Sequence, residues 1–244
     1  MKKILIYGDS NTWGDNFFLG RRISEERQWP NILQEKLGKD YKIISEGLPG
    51  RVAGSFDEKE KYKNGKDTFL SIYKSHAPID ILIISLGSND LQRKYNRNSK
   101  NTINDLIWYK DILKENISDL RIKKKYFKNG KMPRIIYIMP INFNYGITSI
   151  LFNKNSNSKR LKIIDYFINS NNEIITLNNM PLFKDGIHMN YKGHEIMSEK
   201  VYNKITQSKK RSYDRIHKSF SRIKYKKKNN NSDNFVKTKK EKHI

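Results

Sequence analysis

The chain has 244 residues, a net charge of +24 and no cysteine. This length can bury one hydrophobic core, and the lack of cysteine excludes disulfides, thiolate nucleophiles and cysteine-ligated zinc. No apolar run approaches the roughly 18 residues that cross a membrane, and Lys2 and Lys3 precede too few apolar residues for a signal peptide, so we expect a soluble, cytoplasmic protein.

Short β-branched runs alternate with helical patterns along the first 207 residues. The predicted strands are 3–7, 41–45, 80–86, 134–139 and 173–177. The predicted helices are 28–38, 66–76, 101–122, 157–170 and 191–207. Strands this apolar suit a parallel sheet that helices cover on both faces. The pattern predicts an α/β fold over residues 1–207, a three-layer α/β/α flavodoxin-like sandwich whose five-stranded parallel sheet has the order 2-1-3-4-5.

Small and polar residues follow the first three predicted strands. The first strand runs into Gly8-Asp9-Ser10, the second into Gly47 and the third into Asn89. Ligands of such sheets bind at the carboxyl ends of the strands, near the point where the strand order reverses. In the order 2-1-3-4-5 these three strands are neighbours, so Ser10, Gly47 and Asn89 are expected on one rim.

A late Asp-x-x-His pair completes a candidate site for acyl chemistry. Ser10 would be the nucleophile, His188 its general base and Asp185 the carboxylate that fixes the histidine tautomer. The backbone N–H groups of Ser10 and Gly47 and the side-chain amide of Asn89 would form an oxyanion hole. Together these residues predict an enzyme that attacks acyl groups.

Several of these residues also have ordinary structural interpretations. Ser10 and Asn89 could each cap a following helix. Asp185, His188 and His194 could bind a metal, although no residue at a recognisable spacing would orient such ligands. We therefore do not expect a metal site.

Four sequence blocks carry a resemblance to a known family. They occur in the order found in the SGNH (GDSL-type) hydrolase superfamily, and they are Gly8-Asp9-Ser10, Gly47, Gly87-x-Asn89-Asp90 and Asp185-x-x-His188. Three longer stretches resemble its arylesterase and acyltransferase branch, namely Gly8-Asp9-Ser10-x-Thr12-Trp13-Gly14, Glu46-Gly47-Leu48-x-Gly50-Arg51 and Asp80-x-x-Ile83-Ile84-x-Leu86-Gly87-x-Asn89-Asp90. The resemblance covers about residues 1–206 and implies a flavodoxin-like sheet, a Ser-His-Asp triad that hydrolyses esters, and no cofactor. Asn11 departs from the leucine of the name-giving motif.

The same resemblance implies short-chain acyl esters as substrates, above all acetyl esters of alcohols, aryl groups or sugars. An O-acyltransferase using the same site is an alternative. The candidate substrate contacts are Asp9, Trp13, Arg51 and Tyr145. Apolar residues within 11–28 and 140–153 could line an acyl pocket or pack as ordinary loops.

Residues 208–244 are predicted to form a basic tail. From 209 to 244 there are 14 Lys or Arg against 3 Asp or Glu, a net charge of +11. Apolar residues recur at helical spacing within 209–228, which predicts a short basic amphipathic helix, and a stretch of disordered composition follows it. Such a tail could contact nucleic acid or an anionic membrane. A non-catalytic protein that binds either one is therefore the alternative from another functional class.

Overall fold

Helices and strands alternate along the chain in the computed structural model, which describes residues 1–16, 19–144 and 150–207. The predicted basic tail, 208–244, lies outside these residues. Two units are distinguished, Met1–Val201 and Tyr202–Ile244, and residues 202–207 of the second are helical. None of the helices in the described ranges is long and apolar enough to cross a membrane.

Within the described residues, the strands are β1 Lys2–Gly8, β2 Asp15–Asn16, β3 Arg21–Arg22, β4 Tyr41–Gly47, β5 Ile81–Ser85, β6 Arg134–Ile138 and β7 Glu173–Ile175. The helices are α1 Ser10–Trp13, α2 Trp29–Leu37, α3 Gly65–His76, α4 Ser99–Ser118, α5 Leu120–Tyr126, α6 Lys154–Ile168 and α7 over 191–207. Short 3₁₀ turns connect several of them.

Five strands form the main sheet in the order β4-β1-β5-β6-β7, and every pair in it is parallel. These are the five strands predicted from the sequence, so the predicted order 2-1-3-4-5 is confirmed. Strands β2 and β3 form a separate antiparallel pair of two residues each. The chain reverses direction across the sheet between β1 and β5, and the rim at that point carries the candidate site.

The central strands are buried on both faces of the sheet. Ile4, Leu5 and Ile6 of β1 are 0% exposed, as are Ile83 and Ile84 of β5. Successive strand residues point to opposite faces, so helices must cover the sheet on both sides. Each fully buried side chain of this size contributes roughly 1.5–3 kcal/mol, which makes the sheet the rigid support of the rim.

The register brings the ends of three strands to one level. Gly8 of β1 pairs with Gly47 of β4 on one side and with Ser85 of β5 on the other. A Cβ at Gly47 would lie 2.4 Å from the backbone nitrogen of Trp13. Only glycine therefore allows helix α1, which follows β1, to lie against the end of β4.

The helix predicted over 101–122 is in fact two helices. Asp119 between them is extended, with φ −75° and ψ 120°, and its carboxylate accepts the backbone N–H groups of Arg121 and Ile122. Aspartate forms such caps readily, and here the cap overrides the apolar periodicity. Leu120, the first residue of the second helix, is 80% exposed.

Candidate active site

Ser10 lies on a tight turn between a strand and a helix. It is the first residue of α1, two positions beyond β1, and it is 6% exposed. The carboxylate of Asp9 caps the helix by accepting the backbone N–H of Asn11 at 3.0 Å. Gly14 ends the helix in the left-handed region, with φ 88°. This short, capped turn fixes the position of the serine hydroxyl.

His188 lies between Ser10 and Asp185. Its Nε2 is 3.0 Å from the Ser10 Oγ, and its Nδ1 is 2.5 Å from the Asp185 Oδ2. With the Nδ1 proton donated to Asp185, Nε2 is able to accept the proton of the serine hydroxyl. The structure thus brings together the three residues that the sequence analysis selected, although Ser10 and His188 are 178 positions apart.

The loop that carries the histidine is held by its own hydrogen bonds. The second carboxylate oxygen of Asp185 accepts the backbone N–H groups of Ile187 and His188, at 3.0 and 3.1 Å. The backbone N–H of Phe183 donates to the His188 carbonyl at 2.7 Å. Asp185 therefore orients both the histidine ring and the main chain that bears it.

Asn11 connects the nucleophile turn to the histidine loop. Its Oδ1 accepts the Met189 backbone N–H at 2.8 Å, and its Nδ2 donates to the Ile187 carbonyl at 3.4 Å. Its own carbonyl accepts the Trp29 indole N–H at 3.1 Å. Asn11 thus holds the two residues on either side of His188. The sequence analysis noted Asn11 only as a departure from the motif.

A second histidine is buried close to this network. His194 is 0% exposed, and its Nδ1 accepts the backbone N–H of Trp29, the first residue of α2, at 3.2 Å. Burial lowers the pKa of His194 to about 4. His194 is therefore neutral at physiological pH and supports the start of α2.

Burial and nearby carboxylates set the charges in the site. Burial acts to lower the pKa of His188, but the hydrogen bond and charge of Asp185, with the charges of Asp15 and Asp9, outweigh it and raise this pKa above 6.5. Burial acts to raise the pKa of Asp185, but hydrogen bonds from His188 and from two backbone N–H groups hold it below its usual value. Asp185 is therefore a carboxylate at neutral pH.

Asn89 lies in the turn after β5 with a fixed amide orientation. Its Nδ2 donates to the Arg51 carbonyl and its Oδ1 accepts from the Gln92 side chain, both at 3.0 Å. The next residue, Asp90, is 0% exposed and accepts the Ala53 backbone N–H at 2.8 Å. Burial raises the pKa of Asp90 to about 7. These two side chains tie the turn after β5 to the segment after β4.

Two of the residues predicted to contact substrate are buried. Asp9 and Arg51 are each 4% exposed. The Arg51 guanidinium donates to the Gly8 carbonyl at 3.0 Å and lies over the Tyr7 ring at 4.2 Å. Both side chains thus form hydrogen bonds to the main chain near Ser10, and their contact with substrate stays a prediction.

The other two residues predicted to contact substrate are Trp13 and Tyr145. Trp13 is partly exposed, with the Arg22 guanidinium 5.1 Å above its ring. Tyr145 lies outside the described residues. One residue near the triad was missed: the Asp15 Oδ2 is 3.8 Å from the His188 Nε2. Its only signal in the sequence was an acidic side chain soon after the nucleophile.

Solved structures of low sequence identity share this fold. A carbohydrate acetylesterase family member from Sinorhizobium meliloti is 22% identical with a TM-score of 0.68, covering 85% of this chain and 98% of that one. The M. smegmatis aryl esterase is 18% identical with a TM-score of 0.69, covering 85% of this chain and 99% of that one. A lipase/acylhydrolase from Enterococcus faecalis is 17% identical with a TM-score of 0.60, covering 85% of this chain and 97% of that one. No curated protein matches the chain in sequence.

The sequence also matches a family model. The model describes GDSL-like lipases and acylhydrolases, and it matches residues 4–201, a range that contains the serine turn, the rim and the histidine loop. The chain therefore belongs to the GDSL-like lipase/acylhydrolase family and is a carboxylic ester hydrolase.

Proposed function

We propose that the protein hydrolyses short-chain acyl esters with Ser10 as nucleophile, His188 as general base and Asp185 as its orienting carboxylate. The observation that carries this proposal is the pair of hydrogen bonds at His188, 3.0 Å to Ser10 and 2.5 Å to Asp185. A nucleophile in contact with a base that a third group orients is the arrangement that serine hydrolases use.

In the acylation step, the Ser10 Oγ attacks the ester carbonyl carbon while its proton passes to the His188 Nε2. A bond forms between Oγ and the carbonyl carbon, and the carbonyl oxygen takes the negative charge. When this intermediate collapses, the bond to the alcohol oxygen breaks and that oxygen takes the proton from Nε2. Asp185 stabilises the protonated imidazole meanwhile and is not itself protonated.

Three N–H donors are proposed to stabilise the oxyanion. They are the backbone N–H groups of Ser10 and Gly47 and one side-chain N–H of Asn89. The other N–H of Asn89 donates to the Arg51 carbonyl, which orients the amide. Removing one donor of this kind typically costs about 2.7–4 kcal/mol of barrier.

In the deacylation step, water takes the place of the alcohol. His188 accepts a proton from the water as its oxygen attacks the acyl carbon, and the proton then returns to the Ser10 Oγ as the acyl bond breaks. The products are the free acid and the unmodified serine. Every proton transfer thus uses the same nitrogen, Nε2.

We propose acetyl and similarly short acyl esters of alcohols, aryl groups or sugars as substrates. The structures that share the fold include proteins described as a carbohydrate acetylesterase family member and as an aryl esterase.

Turnover of para-nitrophenyl acetate tests the assignment. Ser10→Ala and His188→Ala should each lower kcat by at least about a thousandfold, because both groups take part in every step. Ser71→Ala is the matched control, since this exposed serine bonds only within helix α3. Circular dichroism should show that all variants are folded. Undiminished turnover in a folded Ser10→Ala protein would contradict the proposal.

A further inference from the structure

Asp15 lies beside the catalytic groups on the short strand β2. Its Oδ2 is 3.8 Å from the His188 Nε2, the atom that also faces the Ser10 hydroxyl. The Asp15 side chain is 22% exposed, so it is only partly buried. The nucleophile, the base and this carboxylate thus surround one small region of the rim.

No lysine or arginine among the described residues forms an ion pair with Asp15 within 4.0 Å. Arg22 is opposite Asp15 in the β2–β3 pair, but its guanidinium donates to the Trp13 carbonyl at 2.8 Å and to the Gln28 side chain at 2.9 Å. The chain carries 49 Lys or Arg against 25 Asp or Glu. Among the residues that the structure describes, the Asp15 carboxylate is thus paired only with His188, which leaves its charge available to a ligand.

The position of Asp15 relates it to the alcohol part of the ester. The leaving oxygen takes its proton from Nε2, so that oxygen must lie within hydrogen-bond distance of the histidine. An oxygen within about 3.2 Å of Nε2 is at most about 7 Å from the Asp15 Oδ2, which is itself 3.8 Å from Nε2. Negative charge in a partly buried position attracts a cation more strongly than it would in bulk water. Burial raises the pKa of Asp15, whereas the charge of His188 acts to lower it.

We infer that Asp15 selects esters of positively charged alcohols, with an ammonium group about two carbons from the ester oxygen. This inference rests on the proposed function, because it places the leaving alcohol at Nε2. Asp15 would act on substrate choice and would not transfer a proton itself. An alcohol carrying negative charge near its ester oxygen would be disfavoured by the same carboxylate.

Two esters of nearly equal shape test this selection. Acetylcholine carries a trimethylammonium group, and 3,3-dimethylbutyl acetate has a neutral tert-butyl group in its place. At about pH 8, the wild-type kcat/KM should be about tenfold higher for the cationic ester. In Asp15→Asn the ratio of the two values should fall to about one. The ratio cancels any change in the chemistry that both esters share.

Asp111→Asn is the matched control, because it removes one exposed carboxylate, paired with Lys114, from helix α4. It should keep the wild-type ratio. A second measurement needs no variant: tetramethylammonium should inhibit turnover of the neutral ester competitively, more than sodium at equal ionic strength. This inhibition should weaken as salt screens the charge.

A wild-type ratio near one, or no inhibition by tetramethylammonium, would overturn the inference while leaving the esterase assignment intact. A high ratio that persists in folded Asp15→Asn would overturn it as well. If the wild type hydrolyses neither ester, or if Ser10→Ala hydrolyses both, the proposed function itself fails and the inference fails with it.

Discussion

Replacing Asn11 by leucine tests whether this side chain aligns the base with the nucleophile. Leucine has the same number of side-chain heavy atoms and the same branching at Cγ, but neither an acceptor nor a donor. The Met189 backbone N–H would lose its acceptor at 2.8 Å, and the Ile187 carbonyl would lose its donor at 3.4 Å. His188 lies between these two residues, so its loop would be less firmly held against Ser10.

The magnitude follows mainly from the Met189 hydrogen bond. Met189 is 0% exposed, so its N–H would be left without a partner in the protein interior, at a cost of about 1–3 kcal/mol. The longer contact to Ile187 adds little, because 3.4 Å is near the limit for a hydrogen bond. For a domain of this size, this loss lowers the melting temperature by about 2–12 °C.

Asn11→Leu should lower the rate of catalysis in addition to the stability of the fold. A displacement of about 1 Å between reacting groups can lower the rate about a hundredfold. We expect kcat for para-nitrophenyl acetate to fall by about 10–100-fold in Asn11→Leu, with a much smaller change in KM. The assay should be run at least about 15 °C below the melting temperature of the variant.

Asn64→Leu is the matched control for this experiment. Asn64 is 4% exposed and accepts the backbone N–H groups of Phe56 and Asp57, but it has no hydrogen bond to the histidine loop. It should lose comparable stability and keep most of its kcat. If Asn11→Leu loses stability but retains kcat within about twofold, Asn11 supports only the fold, and the reasoning about alignment is refuted.

Three other outcomes are expected. Gly47→Ala should lower both melting temperature and turnover, because the new Cβ would lie 2.4 Å from the Trp13 nitrogen; a wild-type melting curve would contradict this. The kcat/KM should rise with pH through an apparent pKa above 6.5, since the pKa of His188 is raised and only the neutral ring accepts a proton; a midpoint below 6.5 would argue against it. Burial raises the pKa of Asp90 to about 7 in the folded protein, so the folded state favours the protonated side chain. The resulting stabilisation is complete below the pKa of the unfolded chain, near 4, and is lost as the pH rises through 7. Asp90→Asn should remove this loss, on the order of 2–4 kcal/mol, which urea unfolding at about pH 5 and about pH 8 would measure. An unchanged difference between the two pH values would contradict the assignment.

The sheet could be predicted because its strands are apolar at consecutive positions. A run such as 81–84 suits a strand covered on both faces, and the strand found there, Ile81–Ser85, differs from the prediction by one residue at each end. The break at Asp119 could not be predicted, because the apolar periodicity continues through it. Its cap depends on a local backbone conformation that periodicity does not report.

The candidate site could be predicted only in part. Ser10, Asp185 and His188 could be selected because their residue types and order suggest one chemistry. Asn11 and Asp15 contact the histidine loop, more than 170 positions away along the chain, and no local pattern reports such contacts.

The burial of Arg51 and Asp9 could not be predicted from the sequence. Each follows a strand that ends at the rim, which suggested a contact with substrate. In the structure they accept or donate hydrogen bonds to the main chain around Gly8 and Asn11. Burial of a charged side chain depends on partners that only the folded chain supplies.

The separation of 178 residues between the two reacting side chains has a consequence for the newly made chain. Because synthesis runs from the amino end, Ser10 is made well before His188. On the proposed mechanism, a chain that stops before residue 188 has the serine without its base and does not cleave esters. Turnover then reports that the histidine loop is present on the serine turn.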